Sequence, residues 1–194
     1  YSTIFCLAAL AFMIFPYSVY GCSCAQSTIK QNIARADVVF SGTVIDVSGS
    51  SGGRCGNKTA HINVNRQWKG ALPKTIEMPM SDGCMQCGLY LSAGANYVMY
   101  GHLNDQGKVL TSICSGSRPI RQQKEAFKVL DTYSQDITRL DNAIKASPAL
   151  LAPLMEKADY LLNMQDYQGT YIIAQKTLGT KVGKNNASVW KVLG

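Results

Sequence analysis

Ala36-Asp37-Val38-Val39-Phe40-Ser41-Gly42-Thr43-Val44-Ile45-Asp46-Val47 is rich in β-branched residues and alternates after Gly42. It reads as a strand bent at a glycine. Upstream, Ser27–Arg35 carries Ile29 and Ile33 four apart, which is helical spacing. Downstream, Ser48–Gly53 is a loop and Thr59–Trp68 alternates through Ile62 and Val64 as a second strand. Lys69–Pro73 turns the chain into a third strand, Thr75–Met80. Gly83–Gly94 is a cysteine-bearing loop, and Asn96–Leu103 is a fourth strand. Asn104-Asp105-Gln106-Gly107 has hairpin-turn chemistry and leads into a fifth strand, Lys108–Ile113.

Five short antiparallel strands with one or two helices predict a mainly β domain built as a closed, OB-like barrel. From Pro119 onward the pattern is helical. Ala126, Val129, Leu130 and Tyr133 recur at three and four, followed by Ile137, Leu140 and Ile144. Ser147-Pro148 breaks this helix. Further helical regions follow over Leu150–Leu162 and Tyr167–Leu178, and a fourth starts at Ala187.

The N-terminal end carries a different signal. Residues 1–21 hold no charge, and Ile4–Phe15 is almost wholly apolar. The run is shorter than the ~20 residues of a bilayer span. Val19 and Gly21 provide positions −3 and −1 of a cleavage site, so 1–21 reads as a signal peptide and Cys22 as the mature N-terminus. A short membrane anchor is one alternative. A bacterial lipoprotein site, Val19-Tyr20-Gly21-Cys22, is another, and acylation there would block the Cys22 amine. The expected location is secreted and extracellular, or lipid-anchored at a bacterial envelope under that alternative.

Nineteen basic and twelve acidic residues leave a formal charge of +7. The charges are spread along the chain and form no dense basic stripe, which argues against nucleic acid as a partner. Of seven cysteines, Cys6 falls in the apolar run. The other six are Cys22, Cys24, Cys55, Cys84, Cys87 and Cys114. An even set in an exported chain reads as three disulfides, whose connectivity spacing does not choose. None lies after Cys114, so a stapled front unit and an unstapled rear segment are expected: 22–120, a connecting helix at 121–146, and 147–194. Asn57-Lys58-Thr59 and Asn186-Ala187-Ser188 fit the glycosylation sequon.

Several residues of the front unit match one family together. These are Cys22-Ser23-Cys24, Ala36–Gly42, Trp68-Lys69-Gly70, Cys87-Gly88, Gly94-x-Asn96-Tyr97-Val98 and Leu110-Thr111-Ser112-Ile113-Cys114. On them, residues 22–120 resemble the netrin-like domain of the tissue inhibitors of metalloproteinases. The resemblance implies the pairs Cys22–Cys87 and Cys24–Cys114, which leaves Cys55 for Cys84. It also implies an activity. Side chains at i and i+2 of an extended segment share a face. Cys22 and Cys24 would therefore point inward and Ser23 outward. The α-amine and carbonyl of Cys22 would chelate the catalytic zinc of a target protease, at the position such a zinc keeps open. Ser23 would enter the substrate pocket beyond the scissile bond, flanked by Met85 and Gln86. The chain would need no cofactor of its own, the zinc being the protease's. Ala25-Gln26 stands where the vertebrate inhibitors carry Val-Pro, and their cysteine-rich C-terminal domain is missing.

The rear segment resembles a tetratricopeptide repeat at Leu154, Ala158, Leu161, Asp166-Tyr167, Ala174 and Leu178, with Trp190-x-x-Leu193-Gly194 as the start of a next repeat. A plain helical hairpin packed on the barrel fits the same spacing. Lys157 and Thr170 stand where a large apolar and a small residue are usual.

Other motifs point nowhere sharper. Cys84-Met85-Gln86-Cys87 has redox spacing but no βαβ context, which favours structural disulfides. His61 and His102 have no Cys or Glu at ligand spacing, and Trp68, Tyr160, Tyr167 and Tyr171 read as packing residues. No catalytic set is visible, so no enzyme is expected. Two functions stay open. One is a secreted inhibitor of zinc metalloendopeptidases acting through Cys22 and Ser23, with Cys24, Met85 and Gln86 in contact. The other is a netrin-like extracellular binding or adhesion module, or lipoprotein, whose helical segment recruits a second protein.

Overall fold

The computed structural model describes residues 23–50, 56–82, 88–148 and 150–179. The expectations for Cys22, Cys55, Cys84, Met85, Gln86, Cys87, Asn186 and Trp190, and for the apolar run at residues 4–19, lie outside the described residues.

Helix α1 (Ile29–Arg35) starts in a capping box. Thr28 Oγ1 accepts from the Gln31 N–H at 3.2 Å, and Gln31 Oε1 accepts from the Thr28 N–H at 2.9 Å. Two of the amide donors that a helix start leaves unpaired are thereby satisfied. Strands β1 (Val38–Ser50), β2 (Gly56–Lys69), β3 (Thr75–Asp82), β4 (Asn96–Leu103), β5 (Val109–Leu110) and β6 (Arg118–Pro119) follow. Then come helices α2 (Lys124–Ala146), α3 (Leu151–Asn163) and α4 (Tyr167–Leu178).

The strands form one antiparallel sheet in the order β3-β2-β1-β4-β5, with β6 also on β4. The central β1 is buried on both faces at its start. Val38 and Phe40 enter a core with Val44, Ile62, Met78 and Met99. Val39 enters a second core with Ile33, Trp68, Val98, Tyr100, Ala126 and Leu130. This explains the unbroken apolar run Val38-Val39-Phe40, which a one-sided strand would not carry. Register shifts interrupt the β1–β2 ladder between Val39 and Phe40, Ser41 and Gly42, and Val44 and Asp46. At Gly42 a Cβ would lie 2.6 Å from Ile62 Cγ2, so the bend expected there is also a close approach of the two strands.

The closed, five-stranded, mainly β barrel is corrected. The sheet has six strands and is not closed, and the fold is 43% helical against 31% strand. The physical reason lies at the expected fifth strand. Only Val109–Leu110 of Lys108–Ile113 pairs with β4. At Tyr100, paired with Val39 of β1 on one side, β4 meets side chains in place of a strand on the other. Its N–H donates to Ser117 Oγ at 2.9 Å, and its carbonyl accepts from Thr111 Oγ1 at 2.9 Å. The chain then leaves the sheet in a 3-10 turn, Ile113–Ser115.

The helices pack on one face of the sheet. Trp68 sits at a register shift and turns onto α2. There its ring meets Phe127 edge-on at 5.2 Å, and its Nε1–H donates to Asp131 Oδ1 at 2.6 Å. Arg66 pairs with the same carboxylate at 2.7 Å. The α3–α4 hairpin buries Leu154, Ala158, Leu161 and Ala174, with Gln165 in the left-handed region (φ 63°) at its turn. Asp166 caps α4 by accepting from the Gly169 N–H at 2.8 Å. Lys69, at the end of β2, ties three elements together. Its Nζ donates to the Ile33 and Ala34 carbonyls of α1 at 2.9 and 3.3 Å and lies 3.5 Å from Asp166 Oδ2.

Candidate functional site

Ser23, Cys24, Ala25 and Gln26 are all exposed. They form the start of the described chain, and two anchors hold it. The first is the disulfide Cys24–Cys114, with Cα atoms 5.1 Å apart. This is the pair that the resemblance implied. The second is Ser27, whose Oγ donates to Asn32 Oδ1 of α1 at 2.6 Å. Between the disulfide and the Thr28 cap only three residues intervene, so little slack remains. Cys24 is bonded to Cys114 while the residue as a whole stays exposed, so the segment lies on the surface.

The receiving end is built locally. Ser112 Oγ accepts from the Cys114 N–H at 3.2 Å and caps the 3-10 turn. Gly116 ends that turn with φ 87°. A Cβ there would stand 2.1 Å from Asn32 Nδ2, so α1 and the turn meet across a glycine that no larger residue could replace without a shift. Gly88 pairs with Ser112 in an isolated antiparallel bridge. The chain just after residues 83–87 is thus fixed two residues from Cys114, at the end of the molecule that also holds Cys24. A groove of about 390 Å3 runs beside the disulfide, with Gln26, Ile113 and Arg118 on its walls.

The remaining sequence candidates are scattered. His61 lies between two carboxylates across three strands: its Nδ1 bonds Asp46 Oδ1, and its Nε2 is 3.7 Å from Glu77 Oε1. The two ring nitrogens face opposite ways, so this is a row of polar groups on the sheet surface. Among the described residues no group of His, Cys, Asp or Glu is arranged to hold a metal. His102 sits at the far end of β4, with Nδ1 3.5 Å from Asp37 Oδ2. Tyr160 packs beside Tyr133 with ring centroids 6.4 Å apart, and burial raises its hydroxyl pKa to about 12. Tyr167 and Tyr171, expected to pack, are exposed instead. No helix among the described residues is long and apolar enough to cross a membrane.

The sequence assigned no role to Arg35 or Tyr100 and marked Lys69 only within the Trp68-Lys69-Gly70 match and the turn that follows. Lys69 and Tyr100 owe their roles to partners far along the chain. Arg35 carried one local signal, a basic residue in the last turn of a helix. Tyr100 is 1% exposed, its hydroxyl has no partner among the described residues, and burial pushes its pKa up to about 12.

No protein-family model matches the chain, and no curated protein matches it.

Proposed function

We propose that this chain is a secreted inhibitor of zinc metalloendopeptidases with a netrin-like front unit. The free amine and carbonyl of Cys22 chelate the target's zinc, and Ser23 enters the adjoining substrate pocket. The observation that carries this reading is the Cys24–Cys114 disulfide, which clamps an exposed segment to the 3-10 turn Ile113–Ser115, two residues from Cys22. A clamped N-terminus loses little conformational freedom on docking. The Gly88–Ser112 bridge adds support, because it holds Gly88, three residues after Met85 in sequence, two residues from Cys114. A five-membered chelate through amine and carbonyl displaces the water of an open zinc position. Only the deprotonated amine binds, so inhibition weakens once pH falls below the amine's range of about 7.7–8.0.

The test begins with intact mass and N-terminal sequencing of the exported protein. An unmodified Cys22 at the start, followed by saturable one-to-one inhibition of a zinc endopeptidase, is the expected result. A lipidated Cys22, cleavage elsewhere, or no inhibition across a panel of such proteases contradicts it.

A second reading has its own observation. Tyr167, Tyr171 and Ile172 on α4 and Leu162 on α3 are exposed. An adhesion or binding module with a tetratricopeptide-like hairpin would use such a surface for a second protein. Retained partner capture by a chain with a blocked Cys22 amine would favour it.

A further inference from the structure

Between α1 and the segment Leu110–Ser115 lies a cavity of about 420 Å3. That is within the range that holds small organic molecules. Among the described residues Arg35 and His102 line it and no carboxylate does, Asp37 Oδ2 standing behind His102 at 3.5 Å from its Nδ1. The Arg35 guanidinium makes no hydrogen bond or ion pair with any described residue.

Each hydroxyl has one proton to give. Thr111 spends its proton on the Tyr100 carbonyl, and Ser115 spends its own on the Ser112 carbonyl at 2.8 Å. Ser112 Oγ accepts from Cys114, but its own proton has no acceptor among the described residues. Tyr100 also lines the cavity, but its hydroxyl is buried in the core shared with Ala126 and Leu130 and offers nothing to it. Among the described residues the lining therefore carries one surplus hydroxyl donor, Ser112, and one guanidinium without a partner, Arg35, with Leu110 and Ala36 as apolar surface.

We propose that this cavity binds a small organic monocarboxylate, held by Arg35 and Ser112. A carboxylate only accepts hydrogen bonds, and the arginine fork takes its two oxygens at once. One positive charge matches one negative charge, which favours a monocarboxylate over a phosphate dianion. The carboxylate comes either from a free acid or from the C-terminus of a peptide. The cavity shares Cys114 with the clamping disulfide but does not use the Cys22 amine, so either reading can fail alone.

The test titrates the whole chain and follows the backbone amide signals of Ser112 and Cys114 by NMR. The probes are N-acetyl-leucine, its amide, a hexapeptide ending in free or amidated leucine, and inorganic phosphate. The free carboxylates should give saturable shifts and the amides none. Arg35→Met keeps the aliphatic stem on an exposed helix position; it should weaken binding roughly tenfold or more, the size of a charge-assisted hydrogen bond. Ser112→Ala should weaken it by a smaller factor. Binding of N-acetyl-leucine supports a free acid, and binding of the hexapeptide acid alone supports a peptide terminus. Equal affinity for acid and amide, equal affinity of Arg35→Met and parent, or phosphate binding as tight as the acid overturns the proposal.

Discussion

Trp68 is held by a single hydrogen bond to Asp131, at 5% exposure for the indole residue. Asp131→Ala removes the acceptor and leaves a buried N–H unsatisfied. The expected loss is about 1–3 kcal/mol in urea unfolding, with Asp131→Asn losing less because it keeps an acceptor. Tyr100 gives the opposite case. Its hydroxyl is buried with no partner among the described residues, so Tyr100→Phe should leave stability unchanged or raise it by about 1 kcal/mol. A loss of more than that amount would mean the hydroxyl is satisfied. At this scale the sequence was a partial guide. It marked Trp68 as a core residue, but its hydrogen bond depends on an aspartate 63 positions away. The Cys24–Cys114 pair was legible only through resemblance, since spacing alone leaves every connectivity open.

Elements were more legible than their ends. The periodicities gave Asn96–Leu103 and Tyr167–Leu178, where β4 and α4 lie. Closure was misjudged because hydroxyl side chains at Thr111 and Ser117 replace a strand, and alternation cannot distinguish a paired strand from a chain that leaves the sheet. Between elements, Lys69 is the joint. Lys69→Met should cost roughly 1–3 kcal/mol, since two carbonyls at the end of α1 lose their donor. The Asp166 contact is long, at 3.5 Å, and Lys69 is part-exposed. A double-mutant cycle with Asp166→Asn should therefore give a coupling below about 1 kcal/mol. A coupling above about 2 kcal/mol would shift the weight from the helix carbonyls to the ion pair.

Across the whole molecule, the disulfide closes a separation of 90 residues. Replacing both Cys24 and Cys114 by serine should lower unfolding stability by about 2–4 kcal/mol, and inhibition should fall with it as the N-terminal segment is freed. Alkali provides an independent check on the shared core. Burial raises Tyr100 and Tyr160 to about 12, and raises Tyr133 as well. A tyrosine raised in the folded state stabilises it fully below the unfolded pKa, about 10, and that stability is lost as pH rises through the folded value. Stability should therefore hold to about pH 10 and fall towards pH 12, together with late ionisation of these tyrosines in a spectrophotometric titration. Ionisation of all tyrosines near pH 10 with the fold intact would contradict it. The central claim, chelation by Cys22, turns on one amine. The decisive measurement is inhibition of a zinc endopeptidase by the exported protein carrying one extra alanine before Cys22. Loss of inhibition, with the fold unchanged, is the predicted result; inhibition equal to that of the parent would contradict chelation outright.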